Sequence, residues 1–180
     1  MPEQMNAPHV KIEPWSNADL NLLRLINAPE MMEHLGGPET EEQILRRHKR
    51  YLEIAGRGTG RMFSIVLLPK METVGSVGYW DSMWKEEFVN EIGWSILPPY
   101  QGKGIATAAV SEAIASASIE QKIRFIHAFP SINNLASNAV CRKLNFSLMS
   151  TCEFEYPPGN IMQCNDWRIE IDSAVNLSYI

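Results

Sequence analysis

Apolar residues recur at two different periods along this chain, and the changes of period mark its elements. His9 to Pro14 reads as a short strand. A helix follows, capped by Ser16 or Asn17, with Leu20, Leu23 and Ile26 on one face. Pro29 suits the start of a second short helical stretch, which Gly36-Gly37 closes. The sequence TEEQ at Thr40 to Gln43 is a capping box, and it opens a helix whose expected inner face is Ile44, Leu45, Tyr51, Leu52 and Ala55. Beyond GRGTG (Gly56 to Gly60) three strand-like runs follow: Met62 to Leu68, Thr73 to Trp80, and Glu87 to Leu97. The segments PKMET and DSMWKE read as turns between them, which predicts an antiparallel meander.

At Pro98-Pro99-Tyr100 the pattern changes. A glycine-containing loop leads into a helix over Lys103 to Gln121, with Ile105, Ala106, Ala109, Val110, Ala113, Ile114 and Ala117 facing inward. Arg124 to Phe129 reads as a strand. Ala136 to Leu144 reads as a helix with Ala136, Ala139, Val140 and Leu144 inward. Two last strands, Ser147 to Tyr156 and Trp167 to Asp172, flank the turn PPGN. A meander, then strand–helix–strand–helix, then a hairpin is an α+β order and not a strictly alternating doubly wound one. We find no repeat and no linker, so the expectation is a single domain over 9–180 behind a loose N-terminus over 1–8.

Composition narrows the class. The 180 residues are 45% hydrophobic and 21% charged, with a net charge of −5, so there is no general basic footprint for nucleic acid or an anionic membrane. Three widely spaced cysteines, Cys141, Cys152 and Cys164, fit neither a disulfide framework nor a structural zinc site. No signal-peptide pattern opens the chain, and no apolar run approaches the roughly 20 residues that span a bilayer. A soluble protein of the reducing cytoplasm, without a metal, is expected.

The loop QGKGIA, Gln101 to Ala106, joins a strand to a helix. Its glycines at 102 and 104 permit positive φ and close approach of a ligand to the backbone. A helix N-terminus beside them presents unpaired N–H groups to phosphate, and Lys103 can add a mobile counter-charge. On spacing alone a simple tight turn remains the alternative. A dinucleotide fingerprint is excluded because Thr107 holds the position of its third glycine. A P-loop is excluded because Gly104 follows Lys103 and Leu97 holds the upstream glycine position.

About thirty residues later NNLASNAVCRKLNF, Asn133 to Phe146, places Asn134 and Ser137 at the mouth of a helix. Helix capping alone accounts for asparagine there. Taken together, the two segments resemble the GNAT acetyltransferase superfamily, and within it the RimJ/RimL-like ribosomal-protein-acetylating branch. The acyl-CoA loop of that family reads Gln/Arg-x-x-Gly-x-Gly/Ala, matched by Gln101, Gly104 and Ala106. The leading strand EIGWSILPPY also resembles that branch, as does an N-x-x-S motif with a Lys-Leu-Gly-Phe ending, matched by Asn134, Ser137, Lys143, Leu144 and Phe146. By element order the resemblance covers Val10 to Ile171, and its specific motifs cover Glu91 to Phe146. Three positions depart from the pattern: Asn145 stands where glycine is usual, Ala108 where the branch often has glutamate, and Cys141 where many relatives carry a tyrosine proton donor.

The resemblance implies a mostly antiparallel mixed sheet of about seven strands flanked by about four helices, with a splayed strand pair holding the cofactor. It implies acetyl transfer from acetyl-CoA to a primary amine by direct attack in a ternary complex, with a protein N-terminus or a small-molecule amine as acceptor, in a monomer or homodimer. On that reading pantetheine lies along the backbone of Trp94, Ser95, Ile96 and Leu97, and Gly93 lets it approach. The pyrophosphate lies on Gln101, Gly102, Lys103, Gly104, Ile105, Ala106 and Thr107, and Asn134 and Ser137 stand near the sulfur. Glu91 is the implied base, with His127 as its alternate, and Ser137 the donor to the leaving thiolate. His34, Trp80, Glu91 and His127 are implied to meet the acceptor, with Trp15, Trp84 and Trp94 as further wall candidates. A GNAT-fold module that binds or senses acyl-CoA without turnover is the competing reading, kept open by the missing tyrosine and glutamate.

Overall fold

Alternation along the strands sets the register of one sheet. In the computed structural model, which describes residues 6–120 and 122–171, the strands are β1 (Val10–Pro14), β2 (Gly60–Leu67), β3 (Glu72–Trp84), β4 (Glu87–Ile96), β5 (Phe125–Ala128), β6 (Ser147–Glu155) and β7 (Ile161–Glu170). Their spatial order is β1-β2-β3-β4-β5-β7-β6, and every neighbouring pair is antiparallel except β4–β5. The α-helices are α1 (Leu20–Ile26), α2 (Glu41–Glu53), α3 (Ile105–Glu120) and α4 (Leu135–Lys143). This is the expected α+β architecture. Of the segment 1–8 only residues 6–8 are described, and Gln121 and 172–180 lie outside the described residues.

One face of the sheet carries α3 and α4. Ala109, Ala113 and Ala117 are almost fully buried, and side chains this small let α3 sit close to Val77, Tyr79, Ile92 and Ile126. The Tyr79 hydroxyl reaches Ser116 on α3 at 3.1 Å, which identifies the face that odd-numbered β3 residues take. Trp80, Glu91 and His127 therefore point to the opposite face. There α1 and α2 cover only the β1–β3 half, through Trp15, Leu22, Leu23, Ile26, Ile44 and Met62.

Several boundaries differ from expectation. The segment DSMWKE is not a turn: β3 continues to Trp84, and only Lys85 and Glu86, with φ of 47° and 66°, make the hairpin bend. The helix expected from Lys103 starts at Ile105, and β7 starts at Ile161 and not at Trp167, pairing along the whole of β6. The stretch after Pro29 forms turns, with a 3-10 helix only over Glu33–Leu35. The Thr40 capping box forms as expected, with Gln43 N bonded to Thr40 Oγ1 at 3.3 Å.

Two helix faces differ from the expected ones. On α2, Leu45 and Leu52 are exposed, and Arg47 and His48 are buried beside Ile44. Long-range partners make that tolerable: Trp15 Nε1 donates to His48 Nδ1 at 3.0 Å, and Arg47 pairs with Glu39 and reaches the Tyr156 hydroxyl at 3.3 Å. On α4, Ala136 is exposed while Asn138 and Cys141 are buried.

Asn138 uses both ends of its amide. Its Nδ2 donates to the carbonyls of Ser131 and Asn134 at 3.0 and 2.8 Å, and its Oδ1 accepts from Asn165 Nδ2 and Trp167 Nε1, both at 2.8 Å. Replacing it with leucine strands the Asn165 and Trp167 donors, while the two carbonyls keep the backbone N–H groups of Asn134 and Asn138. Asn138→Leu is expected to cost at least about 2 kcal/mol in chemical denaturation, because orphaned buried polar groups carry their full desolvation penalty.

Candidate active site

Two adjacent strands part company at the centre of the sheet. Strand β4 meets β5 only at Asn90–Ile126 and Glu91–His127, while its pairing with β3 continues to Ile96. Past Glu91 the β5-facing edge of β4 is thus left open. The expected splayed pair is present. Side chains along this stretch are committed to packing: Ile96 belongs to the core under α3, Trp94 packs against it, and Leu97 joins the core under α1 and α2. What Trp94, Ile96 and Leu97 present at the gap is backbone, and Ser95, half-buried on the Glu91 face, adds its own backbone there. Gly93 does not serve as an opening for a ligand, because the Trp80 indole already fills the space: a Cβ there would lie 2.9 Å from the ring.

The loop beyond the gap is exposed from Gln101 to Gly104, and Gln101 Nε2 donates to the Ile96 carbonyl at 2.9 Å, tying the loop to the strand end. Gly102 and Gly104 have φ of 72° and 80°, in the left-handed region. That geometry turns the chain into α3. The first N–H groups of α3, at Ile105, Ala106 and Thr107, have no helical acceptor and form a cradle for an anion. Ile105 itself is a core residue, 2% exposed, so it offers its backbone N–H alone. Lys103 Nζ lies 5.9 Å from the Tyr100 ring centroid, at the mouth of the cradle.

Across the gap, Asn134 caps α4 by accepting from Ser137 N at 3.1 Å, so the capping role foreseen for it is real. Its side-chain oxygen is occupied in that bond. Ser137 is partly exposed in the first turn of α4, and its hydroxyl has no partner among the described residues. Asn145 adopts φ 62° after α4, the left-handed conformation that its place after the helix requires. Cys141 is fully buried, and burial pushes its thiol up to about 12, which removes it as a proton donor near neutrality.

Trp80, Glu91, His127 and Arg168 form one row across β3, β4, β5 and β7. Glu91 is partly buried and accepts from Trp80 Nε1 at 3.3 Å. Burial drives its carboxyl up to about 7, against a smaller downward pull from that hydrogen bond. A carboxyl balanced between its two forms at neutral pH can accept a proton.

His127 differs from expectation. It is 4% exposed, its Nδ1 lies 2.6 Å from the buried carboxylate of Asp166, and its ring stacks on Phe129. It belongs to the floor of the groove and has almost no surface to offer an acceptor. Trp15 is in the core on His48, and Trp94, partly buried, packs against the core under α3, so of the four candidate tryptophans only Trp80 and Trp84 remain on the groove side. His34 lines an open cavity of about 600 Å³ with Glu33, Gly36, Ser131, Asn133 and Met162. Asp166, Asn138, Phe129 and Phe154 join the site through contacts distant in sequence, and no motif marks them. The one local hint is Asn138, a polar residue one helical turn before Cys141.

A splayed parallel pair, a glycine cradle at a helix N-terminus and a partly buried carboxyl on the open face define an acyl-CoA-dependent acyltransferase site. Residues 9–147 match the acetyltransferase (GNAT) domain, and the chain belongs to that family. It is an acetyltransferase that uses acetyl-CoA. No curated protein matches it by sequence. Among solved structures, the acetyltransferase from Salmonella typhimurium that modifies the N-terminal serine of ribosomal protein L7/L12 is 19% identical, with a TM-score of 0.76 over 93% of this chain and 98% of its own. A spermidine N-acetyltransferase from Vibrio cholerae, in complex with CoA and spermine, is 16% identical, with a TM-score of 0.73 over 91% and 96%. RimL bound to coenzyme A is 19% identical, with a TM-score of 0.76 over 92% and 96%. Among the described residues no group of three or more His, Cys, Asp or Glu could hold a metal ion, and no helix is long and apolar enough to cross a membrane.

Proposed function

We propose that the protein transfers acetyl from acetyl-CoA to a primary amine in a ternary complex, with Glu91 as the base and Ser137 as the donor to the leaving thiolate. The observation that carries this is the placement of Glu91: a partly buried carboxyl titrating near 7, on the open face where β4 and β5 part. Pantetheine runs along the free edge of β4, and the pyrophosphate rests on the N–H groups of Ile105, Ala106 and Thr107. The thioester then lies between Glu91 and α4.

Glu91 takes the proton that an ammonium must lose before its nitrogen can attack the thioester, directly or through one water. Backbone N–H groups on the open edge of β4 are suited to receive the oxyanion. As the intermediate collapses, the C–S bond breaks, and the Ser137 hydroxyl, without a partner among the described residues, hydrogen-bonds the thiolate and relays to it the proton that the acceptor nitrogen gives up as the amide forms. A protein N-terminus and a small amine are both kept as acceptors, since the solved neighbours include proteins described as acting on each. The cytoplasm is the proposed location and a monomer or homodimer the proposed assembly.

The first test is ligand protection. Acetyl-CoA at about 100 times its dissociation constant should stabilise the fold by ~2.7 kcal/mol, read as a rise in Tm. No shift with millimolar acetyl-CoA would overturn the cofactor assignment. Binding without thiol release for any amine would favour the sensing module instead.

A further inference from the structure

Four rings make a continuous wall on the groove side of the sheet. Phe129, one residue past the end of β5, stacks on His127 with centroids 5.7 Å apart and planes 16° apart. Phe154 of β6 stacks on Phe129 at 4.7 Å and 20°. Trp84, brought over by the long β3–β4 hairpin, closes the group at 4.7 Å from Phe129 and 6.2 Å from Phe154. Strand alternation puts Phe129 on the side of the sheet that His127 and its register partner Glu91 share.

One buried side chain on the same face of the sheet orients two of these rings. Asp166, 2% exposed, accepts from Trp84 Nε1 at 2.9 Å with one oxygen and holds His127 Nδ1 at 2.6 Å with the other. Two of the four rings, His127 at one end of the stack and Trp84 packed on its middle, are thus oriented by one buried carboxylate. Yet Trp84, Phe129 and Phe154 are each only partly buried, so aromatic surface stays available beside the reacting centre. Aromatic groups stabilise one another best in offset or edge-on arrangements, and a fixed stack can accept one more member that way. Glu91, beside His127 at one end of the stack, can receive the amine that arrives with that ring, while Lys85 Nζ stands 5.6 Å over the Trp84 ring on the other side.

We propose that Trp84, Phe129 and Phe154 determine acceptor specificity, selecting a primary amine that carries an aromatic ring a few bonds from its nitrogen. The ring joins the wall, the amine reaches Glu91, and any further chain leaves through the cavity lined by Glu33, His34 and Asn133. This rests on the acetyltransferase reading of the same site.

The test is equilibrium binding by calorimetry to the full chain saturated with coenzyme A, comparing phenethylamine with ethylamine. The ring should tighten binding by at least about tenfold. A phenylalanyl peptide amide compared with an alanyl peptide amide shows whether the ring belongs to a small amine or to the first residue of a polypeptide. Phe154→Ala should erase the ring preference with coenzyme A affinity unchanged. Phe129→Leu and Phe154→Leu, which keep apolar bulk and hence the fold, should each reduce it several-fold. Equal affinities in both pairs, with coenzyme A still bound, overturn this proposal and leave the acetyltransferase reading standing. If coenzyme A does not bind, that reading falls, and the same amine pairs compared on the free protein decide the wall by the same criterion.

Discussion

Glu91→Gln should lower kcat by about 10²–10⁴-fold while acetyl-CoA affinity is kept, the usual range for loss of a positioned base. The amide keeps the size of the side chain and can still accept from Trp80 Nε1, so packing in the row Trp80–Glu91–His127 is preserved. Only the ability to take a proton is lost. The wild-type kcat/KM profile should climb through about pH 7, where burial places the carboxyl, and that limb should vanish in the variant while the limb set by the acceptor amine remains. Stability moves the other way. The folded-state value of about 7 lies above the ordinary 4.5, so the unfolded chain releases this proton first. Stability present below about pH 4.5 is lost as pH rises towards 7, and at pH 8 the wild type carries a buried charge that the glutamine variant lacks. Glu91→Gln should therefore unfold at higher denaturant than wild type at pH 8, with no such gain at pH 4. An unchanged rate would reassign the base, and the Asp166-bound His127 next to it would become the group to test.

What the sequence made legible is what depends on neighbours in the chain. The loop at Gln101–Ala106, the strand leading into it and the cap at Asn134 are local devices, each readable from residue types within a few positions. The unread residues depend on pairings made only in the sheet. Asp166 meets His127 across 39 residues and Trp84 across 82, and Asn138 meets Trp167 across 29. The α2 face failed for the same reason: Arg47 and His48 are polar by type and buried by partnership with Glu39 and Trp15. Gly93 shows the reverse error. A glycine facing the groove suggested room for a ligand, and a tryptophan on the next strand takes that room.

Gly104→Glu should abolish the thermal shift given by acetyl-CoA. Two effects act at this position, and they separate by substitution. Gly104 has φ of 80°, so any side chain meets left-handed backbone strain of roughly 1–2 kcal/mol. Space is not the obstacle, since a Cβ would meet only Pro8 at 3.5 Å, an ordinary contact. Gly104→Ala carries the strain alone and should lower Tm while retaining part of the ligand shift. Glutamate adds a carboxylate beside the N–H groups of Ile105, Ala106 and Thr107, where it takes the place and repeats the charge of the pyrophosphate. The variant protein should remain folded, by circular dichroism and cooperative melting, yet its Tm should not move with millimolar acetyl-CoA. Activity then falls through KM for acetyl-CoA, the opposite signature to Glu91→Gln, in which kcat falls and cofactor affinity holds. A full ligand shift in Gly104→Glu would mean that the phosphates bind elsewhere, and the cradle at the start of α3 would be only a turn.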